Sequence, residues 1–422
     1  MGVSLRNRNF RVYLVGQGVS NTGNWLQQTT ELWLILELTG SGTALGLHSV
    51  LRHGPVLLLG VFGGLFSDRA DRRRLLLATQ ALLAAVATTY AVVAWVSSPT
   101  LVLIYSLVAI QGLINAVDNP LRRTFLRDLT DEHELSNAVS LHSTTTTISR
   151  TVGPALGGFL IATLGVKWSF SLNAVSFAAV FGSLLAIDRA RLRPAALLGR
   201  GRGQLRAGFS YAWQRRRIRN TLVLSAIVSI FAWNWHVLVP GYATIVFDGA
   251  AGLYGSMVAA LSAGSFVGAV FTARAARLGG RHLTASGFVL TVALVIAATA
   301  PTLPIGIVGL VLLGASGTAF TIGAQARLQL NIEDHMSGRV MALYSVVFLG
   351  GRPIGGMLGG WIMDLSGPRA AFAAGALVVA VTLIVSRVGR RFRTVDGAVE
   401  VVSEDGSSKG GSNGQGGRER DN

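Results

Sequence analysis

Twelve stretches of about twenty predominantly apolar residues follow one another between residues 10 and 388. An α-helix rising 1.5 Å per residue needs about twenty such residues to cross the hydrocarbon core of a bilayer. The stretches fall at residues 10–36, 44–66, 75–96, 101–117, 137–164 and 168–187, then at 220–240, 253–273, 283–300, 305–324, 340–363 and 370–388. Glycine and proline within them do not argue against membrane helices, which tolerate both. Half of the 422 residues are hydrophobic and only 14% are charged, more apolar surface than a soluble core of this length needs. These features predict an all-α membrane protein of twelve transmembrane helices, with membrane lipid as its solvent.

The net charge of +17 invites a nucleic-acid interface, but the placement of the charges argues otherwise. If Met1 is cytoplasmic, 32 of the 37 Lys and Arg fall in the tails, in connections on that side or at the cytoplasmic ends of helices. Arg52, Arg150 and Arg352 fall inside helices, and only Lys167 and Arg369 are left outside. This is the positive-inside bias of a multi-pass protein of the plasma (inner) membrane with both termini in the cytoplasm; no nucleic-acid partner is expected. The opening MGVSLRNRNF lacks the features of a cleaved signal peptide, so the first helix is expected to remain as an anchor. With no cysteine, disulfides, thiol catalysis and Cys-based metal sites are excluded.

The chain repeats itself at an offset of 202 residues: Asp131, Glu132 and His133 fall on Glu333, Asp334 and His335, Leu141 on Leu343, Ser143 on Ser345, Arg150 on Arg352, Gly157 and Gly158 on Gly359 and Gly360, and Gly165 on Gly367. Six helices per half in a same-sense repeat is the pattern of transporters whose halves rock about a midplane site. The organisation read from this is a six-helix bundle over 1–188, a basic cytoplasmic linker over 189–219, a second bundle over 220–393 and a disordered cytoplasmic tail over 394–422. In the linker, Leu205, Phe209 and Trp213 recur every fourth residue beside Arg215, Arg216 and Arg217. That pattern suits an amphipathic helix on the membrane surface, with a solvated linker as the alternative.

Between the second and third stretches stands Gly64-Leu65-Phe66-Ser67-Asp68-Arg69-Ala70-Asp71-Arg72-Arg73-Arg74. It resembles the loop motif G-x-x-x-D-R-x-G-R-[KR] of the major facilitator superfamily, with Asp71 in place of the usual glycine, and the variant is similar to that of drug, macrolide and siderophore exporters. The fifth stretch carries Gly153-Pro154-Ala155-Leu156-Gly157-Gly158, which resembles the G-P-x-x-G-G element of antiporters, with Ser149 where a glycine is usual. Asp118-Asn119-Pro120-Leu121-Arg122-Arg123, after the fourth stretch, is also similar to the exporter subgroup. The resemblance covers the chain to about Arg393 and implies the major facilitator fold, two six-helix bundles that work as a proton-driven exporter. Asp68 can cap the next helix or pair with an arginine near a moving interface, and the arginine cluster pins the loop at anionic headgroups; the glycines permit close helix approach and the proline a hinge.

Read for themselves, Gln17, Asn21, Asn24, Gln28 and Glu31 step by four, three, four and three along the first helix and share one narrow face. Polar residues at this depth face a wet cavity or bond to neighbouring helices. Glu31 is the one carboxylate placed clearly within a stretch; all others fall in tails, loops or near helix ends. Burial favours the protonated carboxyl, so Glu31 can carry a proton between the two sides. A structural ion pair with Arg52 is the alternative, and both roles are compatible. His53 and His236 are the other titratable candidates.

Arg150 and Arg352, related by the repeat, fall near the bilayer midplane, where charges are expensive and usually functional. Contact with substrate or a gating role stands against pairing with carbonyls. On the seventh helix Trp233, Asn234, Trp235 and His236 form an aromatic and polar cluster suited to a substrate pocket or to an interfacial tryptophan belt. No H-E-x-x-H pair and no phosphate-binding G-x-x-x-x-G-K-[ST] is present, so no cofactor is expected and the energy source is a proton gradient.

The function predicted is secondary active transport, by a monomer, of a small lipophilic or amphiphilic compound outward against protons. The rivals are an importer or lipid transporter of the same fold and, from another class, a membrane-embedded enzyme or sensor. One acid favours cationic substrates and three intramembrane arginines favour anionic ones, so the sequence leaves the charge of the substrate open.

Overall fold

The computed structural model describes residues 3–67, 71–131, 133–192, 204–274 and 280–406 and, within them, the side chains outside 60–67, 204–208, 334–335 and 387–406. The described residues form no strand. In order the helices are α1 (Arg8–Thr39), α2 (Gly42–Ser67), α3 (Arg72–Val96), α4 (Leu101–Asp128), α5 (Leu135–Thr163) and α6 (Val166–Leu185). There follow α7 (Gln204–Gln214), α8 (Arg216–Phe231), α9 (Trp235–Gly241), α10 (Ala251–Arg274), α11 (Gly280–Thr299), α12 (Leu303–Gln329) and α13 (Asp334–Gly406).

Eight described stretches are long and apolar enough to cross a membrane. One of them, Met336–Ser386, is turned at Gly367 into two passes, because that residue takes φ 83° and breaks the helical path. Its repeat partner Gly165 takes φ 87° between α5 and α6, so the same left-handed glycine reverses the chain in both halves. With α1, α2 and α5 the passes number twelve. α1 and α5 carry too many polar residues to read as lipid-bathed helices, and they pack inward, α1 against α5 and α6, α5 against α1 and α10. Val15, Val96, Phe159, Val175, Phe271, Leu365, Leu377 and Val385 stand exposed on the outside, an apolar coat of the extent expected of a lipid-facing surface.

One end of the bundle collects the basic segments. There Ser4 and Asn7 bond to Glu134 and Leu129, Asn9 to Asp188, and Arg72 to Asp128 at 2.6 Å. Arg73 donates to the carbonyls of Leu184 and Leu185 at 2.8 and 3.1 Å, so a buried cation closes the negative end of α6. We refer to this as the basic end. A core of Phe10, Tyr13, Leu83, Phe125 and Phe177 lies wholly within the first half. The larger core runs through the second half and takes in Leu32, Ile35, Leu45 and Tyr90 of the first.

Four expectations are corrected. α4 continues to Asp128 rather than stopping near Val117, because its polar residues find partners inside the bundle. The seventh pass is not continuous: α8 ends at Phe231, α9 begins at Trp235, and a π-helical turn follows over Tyr242–Val246. α8 begins at Arg216, inside the stretch read as linker. α13 continues to Gly406, past the boundary expected at 393, and 407–422 lie outside the described residues. Of the linker, 193–203 lie outside them too, while α7 docks by Tyr211, whose ring lies 3.7 Å under Arg215 and whose hydroxyl accepts from the Glu333 amide. Phe209 and Trp213 stack on its exposed side, as suits a helix at a membrane surface.

Candidate functional site

Glu31 is fully buried, and three donors converge on its carboxylate. Gln27 Nε2 meets Oε1 at 2.7 Å; His48 Nε2 and Arg52 Nη1 meet Oε2 at 2.9 and 3.1 Å. Arg52 also donates to Gln111 Oε1 at 2.7 Å, and Asn173 donates to Gln27. Residues of α1, α2, α4 and α6 thus form one polar network inside the first half. Glu31 therefore does not line the space between the halves, as a stripe along α1 implied. His48 was not among the sequence candidates, although it stands four residues before Arg52 on one face of α2, the spacing that brings two side chains to a common partner.

The rest of the stripe divides. Gln17 and Asn21 accept from Arg122, whose guanidinium also holds Asp118. Asp118 is itself 1% exposed and accepts from Thr79 Oγ1 and Gln80 Nε2 at 2.7 and 2.8 Å. It is a second intramembrane carboxylate, ten residues inside α4, so Glu31 is not alone. The D-N-P-L-R-R element thereby ties α4 to α1 and α3 near the basic end, and the helix passes unbroken through Pro120. Asn24 and Gln28 make no side-chain hydrogen bond among the described residues.

In the loop motif, Asp68 and Arg69 lie outside the described residues, and Gly64 is described only by its backbone in α2. Asp71, which replaces the usual glycine, caps α3: its carboxylate accepts from the amides of Arg73 and Arg74 at 3.0 and 3.2 Å. The capping expected of Asp68 is thus performed for α3 by Asp71. In α5 the helix is continuous through Pro154. Gly153 and Gly157 abut α1, and Gly158 lies backbone to backbone on Gly255 of α10, so these glycines serve close packing. Ser149, in place of a glycine, bonds to the Gly18 carbonyl at 3.0 Å and accepts from Thr22 at 3.1 Å.

Away from the basic end the two halves meet through two interfaces that the repeat relates. α5 packs on α10 and α13 on α2. Gly158 against Gly255 corresponds to Gly360 against Gly42. Ser262 Oγ donates to the Arg150 carbonyl at 3.2 Å, and Ser49 Oγ donates to the Arg352 carbonyl at 3.4 Å. Each arginine sits at the inner margin of its interface. Among the described residues every hydrogen bond between the halves lies at or beyond these arginines, and none joins the halves at the basic end. The halves are therefore closed at the far end and part toward the basic end.

Neither guanidinium has a hydrogen-bonded or ion-paired partner among the described residues; Arg352 has only the Phe348 ring of its own helix, 5.9 Å away. A charge at the centre of a membrane helix costs about 2.5–3.5 kcal/mol on insertion scales, a penalty no partner here offsets. Beside Arg352, His53 of α2 stacks on His236 of α9 with ring centroids 6.2 Å apart, across the two halves. Asn234 stands in the break between α8 and α9, its amide donating to the Ile230 carbonyl where Gly355 leaves room. Trp235 is buried and Trp233 packs on Phe348, so neither belongs to a lipid-facing belt; Trp95 and Trp168, exposed beside Lys167, occupy such a position.

At the far rim Asp364 of α13 reaches the first turn of α2. It accepts from Ser41 Oγ at 2.8 Å and from the amides of Gly42 and Thr43, the latter at 2.9 Å. A carboxylate of one half thus caps a helix of the other. Losing such a cap at an exposed site costs about 1–1.5 kcal/mol, or five- to tenfold in a two-state equilibrium. Asp364→Ala should raise the population open at the far end by that factor. Because the chain has no cysteine, spin labels at Ser98→Cys and Ser256→Cys can read the gap, and an unchanged distance distribution would refute the latch.

Comparison with known proteins agrees with this architecture. Residues 3–404 match the profile of the family described as transmembrane secretion effector. The chain is 24% identical to the staphyloferrin A transporter of Staphylococcus aureus over 88% of its own length and 94% of the relative's. It is 25% identical to the multidrug efflux pump Tap of Mycolicibacterium fortuitum, over 89% and 94%. A bacterial homologue of the iron transporter ferroportin, solved in an inward-facing state, superposes with a TM-score of 0.68 at 15% identity, covering 89% of this chain and 98% of that one, which makes the fold that of a major facilitator. The protein is a multi-pass membrane transporter rather than an enzyme, and it belongs to the transmembrane secretion effector family of the major facilitator superfamily.

Proposed function

We propose that this transporter moves a small amphiphilic compound out of the cell in exchange for protons, by alternating access, as a monomer whose basic end faces the cytoplasm. The orientation rests on the positive-inside distribution of Lys and Arg, and with it the conformation described is inward-facing. The efflux direction is supported by the exporter-like motifs and by a relative named as a multidrug efflux pump.

The observation that carries the coupling is the division of labour along α2. His48 and Arg52 turn toward Glu31, whereas Gly42, Gly46, Ser49 and His53 turn toward the second half. Any movement that parts α2 from α13 shifts two of the three donors on Glu31. A carboxylate that loses Arg52 in a low-dielectric site takes up a proton, and one that regains it gives the proton back. The proton and the opening of the far interface are thus linked through a single helix.

The test is flux in proteoliposomes of defined orientation, with and without a pH gradient. Glu31→Gln keeps an amide of the same shape and should insert normally, yet lose gradient-driven transport by more than about tenfold, the scale of a lost coupling free energy, while exchange without a gradient persists. Full gradient-driven transport by this variant would remove the proposed coupling, and net movement inward down a proton gradient would reverse its direction.

A further inference from the structure

We propose that Arg150 and Arg352 together form the substrate-binding pair, and that the substrate is an organic anion carrying two or more acidic groups. This deepens the proposed efflux function and rests on it only for the direction of transport. The two arginines come from different halves, at positions the repeat makes equivalent, and each is anchored through its backbone carbonyl by a serine of the opposing half. Neither guanidinium is taken up by a hydrogen bond, and the charge of Arg150 acts on that of Arg352. Among the described residues no carboxylate pairs with either.

Among the described residues the surroundings supply no charge that compensates the two arginines. Arg352 acts electrostatically on both His53 and His236, and so does Arg52. His236 Nε2 is a buried nitrogen without a hydrogen-bond partner, and Arg352 Nε is another. Among the described residues the acid of this region, Glu31, is turned into the first half with both oxygens engaged by Gln27, His48 and Arg52. A cationic compound entering from the basic end would therefore meet two bare guanidiniums and no free carboxylate. An anion would relieve their repulsion. A guanidinium binds a carboxylate or sulfonate through paired, charge-assisted hydrogen bonds, so a ligand with acidic groups at two places can engage both halves at once. Among the described residues no hydrogen bond joins the halves between the arginines and the basic end, the side on which an apolar body behind the acidic groups would lie. One ligand held by both halves would also bias the rocking equilibrium, since its affinity depends on the distance between the arginines.

The experiment is equilibrium binding without any gradient, so its outcome is independent of whether Glu31 couples protons. The full chain is placed in nanodiscs of phosphatidylcholine and titrated with citrate, dodecanedioate, a naphthalene disulfonate and the lipophilic cation tetraphenylphosphonium. At least one dianion should bind and raise the unfolding temperature. Arg150→Gln and Arg352→Gln should each weaken it about ten- to a hundredfold, the loss of one charge-assisted pair, and the double variant should not bind it. Without ligand each variant should melt higher than the parent, because a like-charge repulsion is gone. Failure of all three dianions, binding of tetraphenylphosphonium that depends on either arginine, or a lower melting point in the variants would each overturn the proposal. Displacement of the dianion by phosphatidylglycerol nanodiscs would reassign the pair to lipid headgroups and overturn the small-molecule reading as well.

Discussion

Asp118→Ala should lower the stability of the protein by about 3–5 kcal/mol, the cost of removing one partner from a buried ion pair. In a thermal melt that corresponds to a fall of roughly 5–15 °C. The carboxylate takes three donors into one buried cluster: the guanidinium of Arg122, the hydroxyl of Thr79 and the amide of Gln80 bond to it directly, and Arg122 extends the cluster to Gln17 and Asn21 on α1. Without Asp118 the arginine remains among neutral carbonyl acceptors, with its charge uncompensated, and the hydroxyl and amide lose their acceptor. Asp118→Asn keeps an acceptor for Thr79 and should fall between the two. A melting temperature equal to that of the parent for Asp118→Ala would show that the cluster contributes nothing, and would leave the D-N-P-L-R-R element without a structural role.

The placement of that residue shows what kind of information a sequence carries. Hydropathy locates the lipid-facing parts of a helix, and it ended the fourth stretch at Val117 because Asp118, Asn119, Arg122 and Arg123 follow. The helix runs eleven residues further to Asp128 because lipid is not the neighbour there: the polar face is met by α1 and α3. The same reasoning made Glu31 look solitary. Its true partners were half legible, since Arg52 stands on the next helix at a comparable depth. His48 is legible only through its i, i+4 spacing from Arg52 along α2, which brings the two side chains to a common partner. Conversely, the break between α8 and α9 leaves almost no trace in composition; Asn234 is the only polar residue in it, and its amide serves the Ile230 carbonyl freed by the break.

The repeat was the most informative feature because it constrains contacts rather than elements. Arg150 and Arg352 would be costly at such depth with lipid as their neighbour; between two halves they are tolerable, and the repeat places them together there. It also carries Gly165 onto Gly367, whose matching φ values reverse the chain in both halves, and Gly158 onto Gly360, which become equivalent contacts with α10 and α2. What the repeat does not contain is the asymmetry. The Glu31 network, the Asp118 cluster and the Asp71 cap all belong to the first half, and the broken helix belongs to the second. The first half is thus fastened by buried polar bonds, and the second holds its core by apolar packing around Tyr242, Tyr254, Phe320 and Phe372.

Gly158→Leu is expected to abolish transport while leaving the chain inserted. At Gly158 a single added carbon would overlap the backbone of Gly255, and at Gly255 the converse holds. Overpacking that a rotating side chain can absorb costs about 1–3 kcal/mol; here the obstacle is main chain, so α5 and α10 must separate. Since α5 and α10 belong to different halves, the strain falls on the closed far interface and spares the interior of each bundle. The protein should then be held open at the far end, with the spin-label distance between Ser98→Cys and Ser256→Cys lengthened in nearly all molecules and turnover reduced to a few per cent of the parent. Gly360→Leu should do the same through α2, because its backbone lies against that of Gly42. Gly182→Leu, on an exposed face of α6 with nothing within 4 Å of an added carbon, is the matched control and should transport normally. If Gly158→Leu closes and transports as the parent does, then the far interface is not the surface on which the halves rock, and the link from α2 to Glu31 loses its mechanical basis.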